Sequence, residues 1–119
     1  MSLYEEIHSQ PEVLQRSYAH NLTAVKAIAQ ELQQRQIHYA FIAARGTSDN
    51  AARYANYVWG AYNHLPVALA TPSLFSLYGS PPRLDGALVI GVSQSGQSPD
   101  IVNVVVEGKR PFWSQRPLR

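Results

Sequence analysis

Three short apolar runs, each of β-strand length, punctuate the second part of the chain. They lie at residues 38–44 (HYAFIAA), 66–70 (PVALA) and 87–92 (ALVIGV, interrupted only by Gly91). Their apolar residues are continuous and do not alternate with polar ones, which is typical of parallel strands covered on both faces. Helical patterns separate and follow these runs, at 51–62, in a brief turn through Leu77, and from Pro99 onward.

This order of elements predicts a three-layer, doubly wound α/β fold with a parallel sheet. Sheets of this kind usually contain about five or six strands, so three strands correspond to the front part of one. We therefore expect the fold to be incomplete.

Residues 11–36 carry a different pattern, in which apolar positions recur every three or four residues. Pro11 followed by the acidic Glu12 is typical of a helix start. The spacing predicts an amphipathic helix that packs on the α/β part through one apolar stripe: Leu14, Tyr18, Leu22, Val25, Ala29 and Leu32.

The helical segment 51–62 is apolar or aromatic nearly all round, and Ser48 or Asp49 is a suitable N-cap for it. A helix without a polar face is buried, either within the sheet protein or against a second subunit.

Composition narrows the classes of function. The chain has 119 residues, 45% of them hydrophobic, and no cysteine. This length allows one domain, and the lack of cysteine excludes disulfides, thiolate metal sites and a cysteine nucleophile. No apolar stretch approaches the roughly 18 residues of a membrane span, and no secretory signal is present. We expect a cytoplasmic protein that does not bind membranes.

The sequence pI of about 9.1 suggests an anionic partner such as nucleic acid, but the charge is unevenly distributed. Four of the ten basic residues lie at 109–119, and all eight acidic residues precede that tail. Residues 1–108 thus hold six basic and eight acidic residues, a net charge of −2. We expect no nucleic acid partner.

Two of the predicted strands end in hydroxyl-rich loops that lead directly into helices. The first hydroxyl loop is Gly46-Thr47-Ser48, and the second is residues 93–98 (SQSGQS). In open parallel sheets, ligands bind beyond the carboxyl ends of the strands. Ser98 as N-cap, with Pro99 and Asp100 after it, predicts a helix N-terminus that attracts anions. The two loops together predict a phosphate site that needs neither lysine nor metal, with Thr47, Ser48 and Gln94 contacting sugar hydroxyls.

The alternative is that these loops only cap helices and form turns. Arg45 likewise has two interpretations, a contact with the anion or a structural ion pair.

Other catalytic and metal motifs do not fit. Residues 91–95 (GVSQS) nearly match a hydrolase nucleophile elbow, but Ser95 stands where glycine is required. The histidines show no metal-ligand spacing and all precede Ser93, so the hydrolase order of serine, acid and histidine is unavailable: His8, His20, His38 and His64. We expect no catalytic residue and no metal in this chain.

Residues 44–48 (ARGTS) and the second hydroxyl loop resemble those of SIS (sugar isomerase) domains, over about residues 11–108. The likeness is strongest to the isomerase half of glucosamine-fructose-6-phosphate aminotransferase and to related sugar-phosphate isomerases and deaminases. It implies a flavodoxin-type fold, no cofactor, and a homodimer in the intact family. It also implies a partner such as fructose 6-phosphate or glucosamine 6-phosphate, with the phosphate held by Ser93, Gln94, Ser95 and Ser98, and the sugar site lined by Gly46, Thr47 and Ser48.

The resemblance implies further that the catalytic residues of the family lie beyond this chain, mostly in a second SIS domain. We therefore expect a helical segment at 1–37, a partial SIS domain at 38–108 and an atypical basic tail at 109–119. The tail has two prolines where the family has an apolar strand. We therefore expect a truncated or frame-shifted gene product that binds a sugar phosphate without converting it. The alternative is a genuine short variant.

Two other classes of function remain open. One is a non-catalytic sugar-phosphate sensor, as in SIS-containing transcription regulators, although the segment before the first strand predicts one long helix and no helix-turn-helix. The other is a structural or dimerisation module that uses the aromatic helix 51–62.

Overall fold

The computed structural model describes residues 1–110. Most of the predicted basic tail, residues 111–119, lies outside the described residues. The chain forms two compact units, Met1–Gln36 and a second unit that begins at Ile37.

The first unit is one long helix, α1 (Leu3–Gln34). It starts well before Pro11, so the predicted start at that proline is wrong. The reason is a capping box at Ser2: the Glu5 N–H donates to Ser2 Oγ at 3.2 Å, and the Ser2 N–H donates to Glu5 Oε2 at 2.9 Å. Pro11 lies inside the helix, where it lacks one backbone donor, and the helix continues on both sides of it.

The second unit is a three-stranded parallel sheet with helices between and after the strands. The strands are β1 (Tyr39–Ala44), β2 (Val67–Leu69) and β3 (Ala87–Val92), in the order β2-β1-β3. The helices are α2 (Ser48–Asn63), α3 (Ser73–Ser76) and α4 (Pro99–Gly108). The predicted three-layer α/β fold with a parallel sheet is confirmed.

The central strand β1 supplies both layers of the core with alternate side chains. Phe41 and Ala43 pack on one face of the sheet, in a cluster with Leu84, Ile101 and Val104. Ile42 and Ala44 pack on the opposite face against Ala52 of α2. The strand is continuously apolar because both faces are covered.

Helix α2 differs from its prediction. Ala52 is its only buried residue, whereas Tyr54 is 73% exposed and Tyr57 and Tyr62 are each 81% exposed. Ala52, Ala55 and Trp59 face the sheet because a helix lying on a sheet can turn only one side toward it. The prediction that this chain buries α2 on all sides is therefore wrong, because the side with the three tyrosines is exposed. Burial of that side against a second subunit stays a prediction.

Candidate functional site

The strand order places both hydroxyl loops at one point of the sheet. The chain passes from β1 to β2 on one side and then returns to form β3 on the other side of β1. At such a reversal the connections leave neighbouring strands toward opposite faces, which opens a crevice at the carboxyl ends. Ala44 and Val92, the last residues of β1 and β3, are register partners. Both loops therefore start side by side at the crevice.

The first hydroxyl loop turns the chain from β1 into α2. Gly46 has φ +59°, a left-handed conformation that side chains disfavour, and its carbonyl accepts from the Asp49 N–H at 3.1 Å. The N-cap of α2 is Thr47, not Ser48 or Asp49, because the helix already begins at Ser48. The Thr47 side chain makes no capping hydrogen bond. Capping therefore does not account for this hydroxyl.

The second hydroxyl loop is folded by its own serines. The Gly96 N–H donates to Ser93 Oγ, and the Gln97 N–H donates to Ser95 Oγ, both at 3.1 Å. A hydroxyl that accepts such a bond keeps its own O–H as a donor. Gly96 has φ +69°, and an added Cβ there would meet no atom within 4 Å, so the space above the loop is open.

Ser98 and Pro99 join this loop to α4. Ser98 is the N-cap, as predicted, and Pro99 is at the first turn. The Ser98 hydroxyl makes no capping hydrogen bond. Ser93 and Ser95 therefore form the turn of the loop. Ser98 stands at the cap position, but its side chain does not bond to the backbone N–H groups in the first turn of α4.

Arg45 and Asp100, which flank the two hydroxyl loops, form an ion pair. The Arg45 Nη1 donates to Asp100 Oδ2, and the two side chains are 63% and 26% exposed. Of the two interpretations of Arg45, the structure shows the ion pair. The sequence does not predict that Asp100 pairs with Arg45, although Arg45 directly follows β1 and Asp100 lies in the first turn of α4.

The structure thus brings the predicted site residues of both hydroxyl loops to one edge of the sheet. These residues differ in their exposure to solvent. Ser48, Ser93 and Ser98 are partly buried. The members open to solvent are Gly46, Thr47, Gln94 and Ser95.

Within residues 1–110, no group of three or more histidine or acidic side chains is placed to hold a metal ion. In the same residues, no helix combines the length and the apolarity that crossing a membrane requires.

Comparison of the sequence and the fold with those of known proteins shows which class of protein this chain resembles. No established family model matches the chain. A crystal structure from Silicibacter pomeroyi, provisionally described as a phosphosugar isomerase, matches with a TM-score of 0.81 and 40% identity, over 87% of this chain and 33% of that one. The chain has the fold of an SIS domain, with a parallel sheet of three strands.

Among curated proteins, the chain is 34% identical over 99 residues to glutamine–fructose-6-phosphate aminotransferase [isomerizing] of Caulobacter vibrioides. The match covers 81% of this chain and 16% of that enzyme. The chain therefore spans about a sixth of the curated relative and a third of the solved one. These similarities confirm the predicted relationship to SIS domains and to the isomerase region of the aminotransferase.

Proposed function

We propose that this chain binds a phosphorylated sugar in the crevice between its two hydroxyl loops. The observation that carries the proposal is their placement: both loops follow register-paired strands at the reversal of strand order. That is where open α/β sheets bind their ligands. Both relatives carry the name of a sugar phosphate or a phosphosugar in their own descriptions.

The phosphate is assigned to the second hydroxyl loop, through Ser93, Gln94, Ser95 and Ser98. Backbone N–H groups at the start of α4 and the positive end of its dipole attract an anion. The O–H groups of Ser93 and Ser95 add donors, because their oxygens already accept from the loop. The open space above Gly96 gives a phosphate room to approach the backbone.

The sugar is assigned to the first hydroxyl loop, through Gly46, Thr47 and Ser48. The Thr47 hydroxyl has no capping bond to give up, and Gly46 presents backbone without a side chain. Hydroxyl groups both donate and accept, which matches the hydroxyls of a hexose. The chemistry suits fructose 6-phosphate or glucosamine 6-phosphate and requires no cofactor.

The test is isothermal titration calorimetry of the full chain with fructose 6-phosphate. The double variant Ser93→Ala/Ser95→Ala should lose at least about a hundredfold in affinity, because each hydrogen bond to a charged group contributes roughly 1.5–3 kcal/mol. The matched control is Ser9→Ala/Ser17→Ala in α1, which should bind like the wild type. Equal affinity of the loop variant and the control would show that the phosphate site is misassigned.

We also propose that these residues bind the sugar without converting it. The charged groups beside the loops already form ion pairs, Arg45 with Asp100 and Arg53 with Asp49. Moving a proton between two sugar carbons needs a positioned free base. Conversion of fructose 6-phosphate to glucose 6-phosphate by the purified chain, above the level of the Ser93→Ala/Ser95→Ala variant, would contradict this proposal.

A further inference from the structure

The Arg45–Asp100 ion pair differs in kind from the ion pairs that lie within helical turns. Arg35–Glu31 and Arg53–Asp49 join residues one turn apart on a single helix. Arg45 directly precedes the first hydroxyl loop and Asp100 lies in the first turn of α4, 55 positions away in sequence. Such a contact exists only because β1 and β3 are neighbours in the sheet.

Asp100 poses an electrostatic problem for the proposed phosphate site. It lies in the first turn of α4, where a carboxylate interacts favourably with the positive end of the helix. A phosphate on the second hydroxyl loop would use the same end of the same helix. Two anions there repel each other, and water screens the carboxylate incompletely because Asp100 is only 26% exposed.

Arg45 supplies the charge that removes this repulsion. Its guanidinium bonds to Asp100 Oδ2, so the pair as a whole is neutral. The arginine side chain is 63% exposed, and Arg45 directly follows β1, so the neutralising charge comes from the neighbouring strand and not from the second hydroxyl loop itself. The helix end then keeps its attraction for an anionic ligand.

We propose that Arg45 is a positioning residue of the sugar-phosphate site, which acts by neutralising Asp100 and not by contacting the phosphate. This inference rests on the proposed function. It makes a prediction that a direct contact does not make: removing Asp100 should remove the need for Arg45.

The experiment is a double-mutant cycle on the full chain, measured by calorimetry with fructose 6-phosphate and, in parallel, with inorganic phosphate. Arg45→Gln should weaken both ligands roughly three- to tenfold, because the uncompensated carboxylate repels them. The double variant Arg45→Gln/Asp100→Asn should return to within about twofold of the wild type. Arg45→Lys keeps the positive charge and should bind like the wild type. The deficit of Arg45→Gln should shrink in high salt, because screening weakens the repulsion.

Each other outcome overturns the inference in a distinct way. A double variant as weak as Arg45→Gln, together with an Asp100→Asn variant that binds at least as tightly as the wild type, means that the arginine contacts the phosphate directly. An Asp100→Asn variant as weak as Arg45→Gln means that the pair is a mechanical link between the loops. Equal affinities in all variants mean that the pair has no role in binding, while the proposed function stands. If the wild type binds neither probe, the proposed function fails together with the inference. Thermal unfolding of each variant verifies that it is folded.

Discussion

Gly91 sets how closely α4 approaches the sheet. A Cβ added at this position in β3 would lie 2.8 Å from Ile101 Cγ2 and 3.0 Å from Val105 Cγ2. Real side chains do not approach that closely, so glycine lets the helix lie directly on the strand. Because Ile101 is in the same helix as Asp100, this packing also fixes where the N-terminus of α4 meets the second hydroxyl loop. The one break in the apolarity of the third strand therefore has a structural cause.

Gly91→Ala should destabilise the fold by about 1–3 kcal/mol, because the added methyl group overpacks the contact between β3 and α4. Gly60→Ala is the matched control: Gly60 lies inside α2, and a Cβ there would meet no atom within 4 Å. That change should stabilise the chain by about 0.5–1 kcal/mol through helix propensity. Urea unfolding of the two variants measures both effects, and equal stabilities would contradict the close approach at Gly91.

Helix α4 is the element that joins the core to the candidate site. Its start carries Ser98, Pro99 and Asp100, and its body packs on the sheet through Ile101 and Val104, which are 5% and 0% exposed. The sequence predicts this helix from its cap and its run of aliphatic residues. It does not show which of these residues is buried, because five of the ten residues of α4 are valine or isoleucine and only Asn103 interrupts them before Glu107.

Val104→Ala should cost about 2 kcal/mol of unfolding free energy, since it leaves a cavity in the layer shared with Phe41 and Leu84. Val102→Ala, on the same helix but 41% exposed, should cost about 0.5 kcal/mol or less. The comparison makes the same substitution at a buried and at an exposed position of one helix. Similar losses at the two positions would mean that α4 is rotated relative to the sheet. Chemical denaturation followed by circular dichroism gives both values.

At the scale of the whole molecule, the two ends of the sheet carry different groups. The carboxyl ends of β1 and β3 carry the hydroxyl loops, and the amino end of β1 carries Tyr39. Its hydroxyl donates to the Arg83 carbonyl at 3.2 Å. Burial, and to a lesser degree the negative charge of Asp85, raise the pKa of Tyr39 above its usual value of 10.0.

A raised pKa favours the neutral phenol in the folded chain. Its contribution to stability is complete below about pH 10 and is lost as the pH rises through the higher pKa of the folded state. We therefore expect the free energy of unfolding to fall more steeply above about pH 10 in the wild type than in Tyr39→Phe. Tyr57→Phe, at an 81% exposed position, leaves the Tyr39 phenol in place and should keep the steep fall. Parallel curves for the wild type and Tyr39→Phe would contradict the assignment.

Much of the fold could be predicted because local patterns carry it. The apolar run at 87–92 predicts the third strand with its observed bounds, Ala87–Val92, and the predicted cap at Ser98 is confirmed. The start of α1 was missed because the capping box at Ser2 and Glu5 overrides Pro11 as a start signal. The exposure of Tyr54 was missed because composition alone does not tell which side of a helix meets a sheet.

The sequence by itself determined the order of the elements, the parallel sheet and the residues of the two hydroxyl loops, because hydrophobic period, glycine and cap residues act over a few neighbours. Only the tertiary structure decided that β1 is central, that Ala44 and Val92 are register partners, and that Arg45 pairs with Asp100. These facts depend on contacts between residues far apart in the chain, and no local pattern specifies them. The candidate site is thus composed of residues that the sequence identifies, placed in one crevice by strand order.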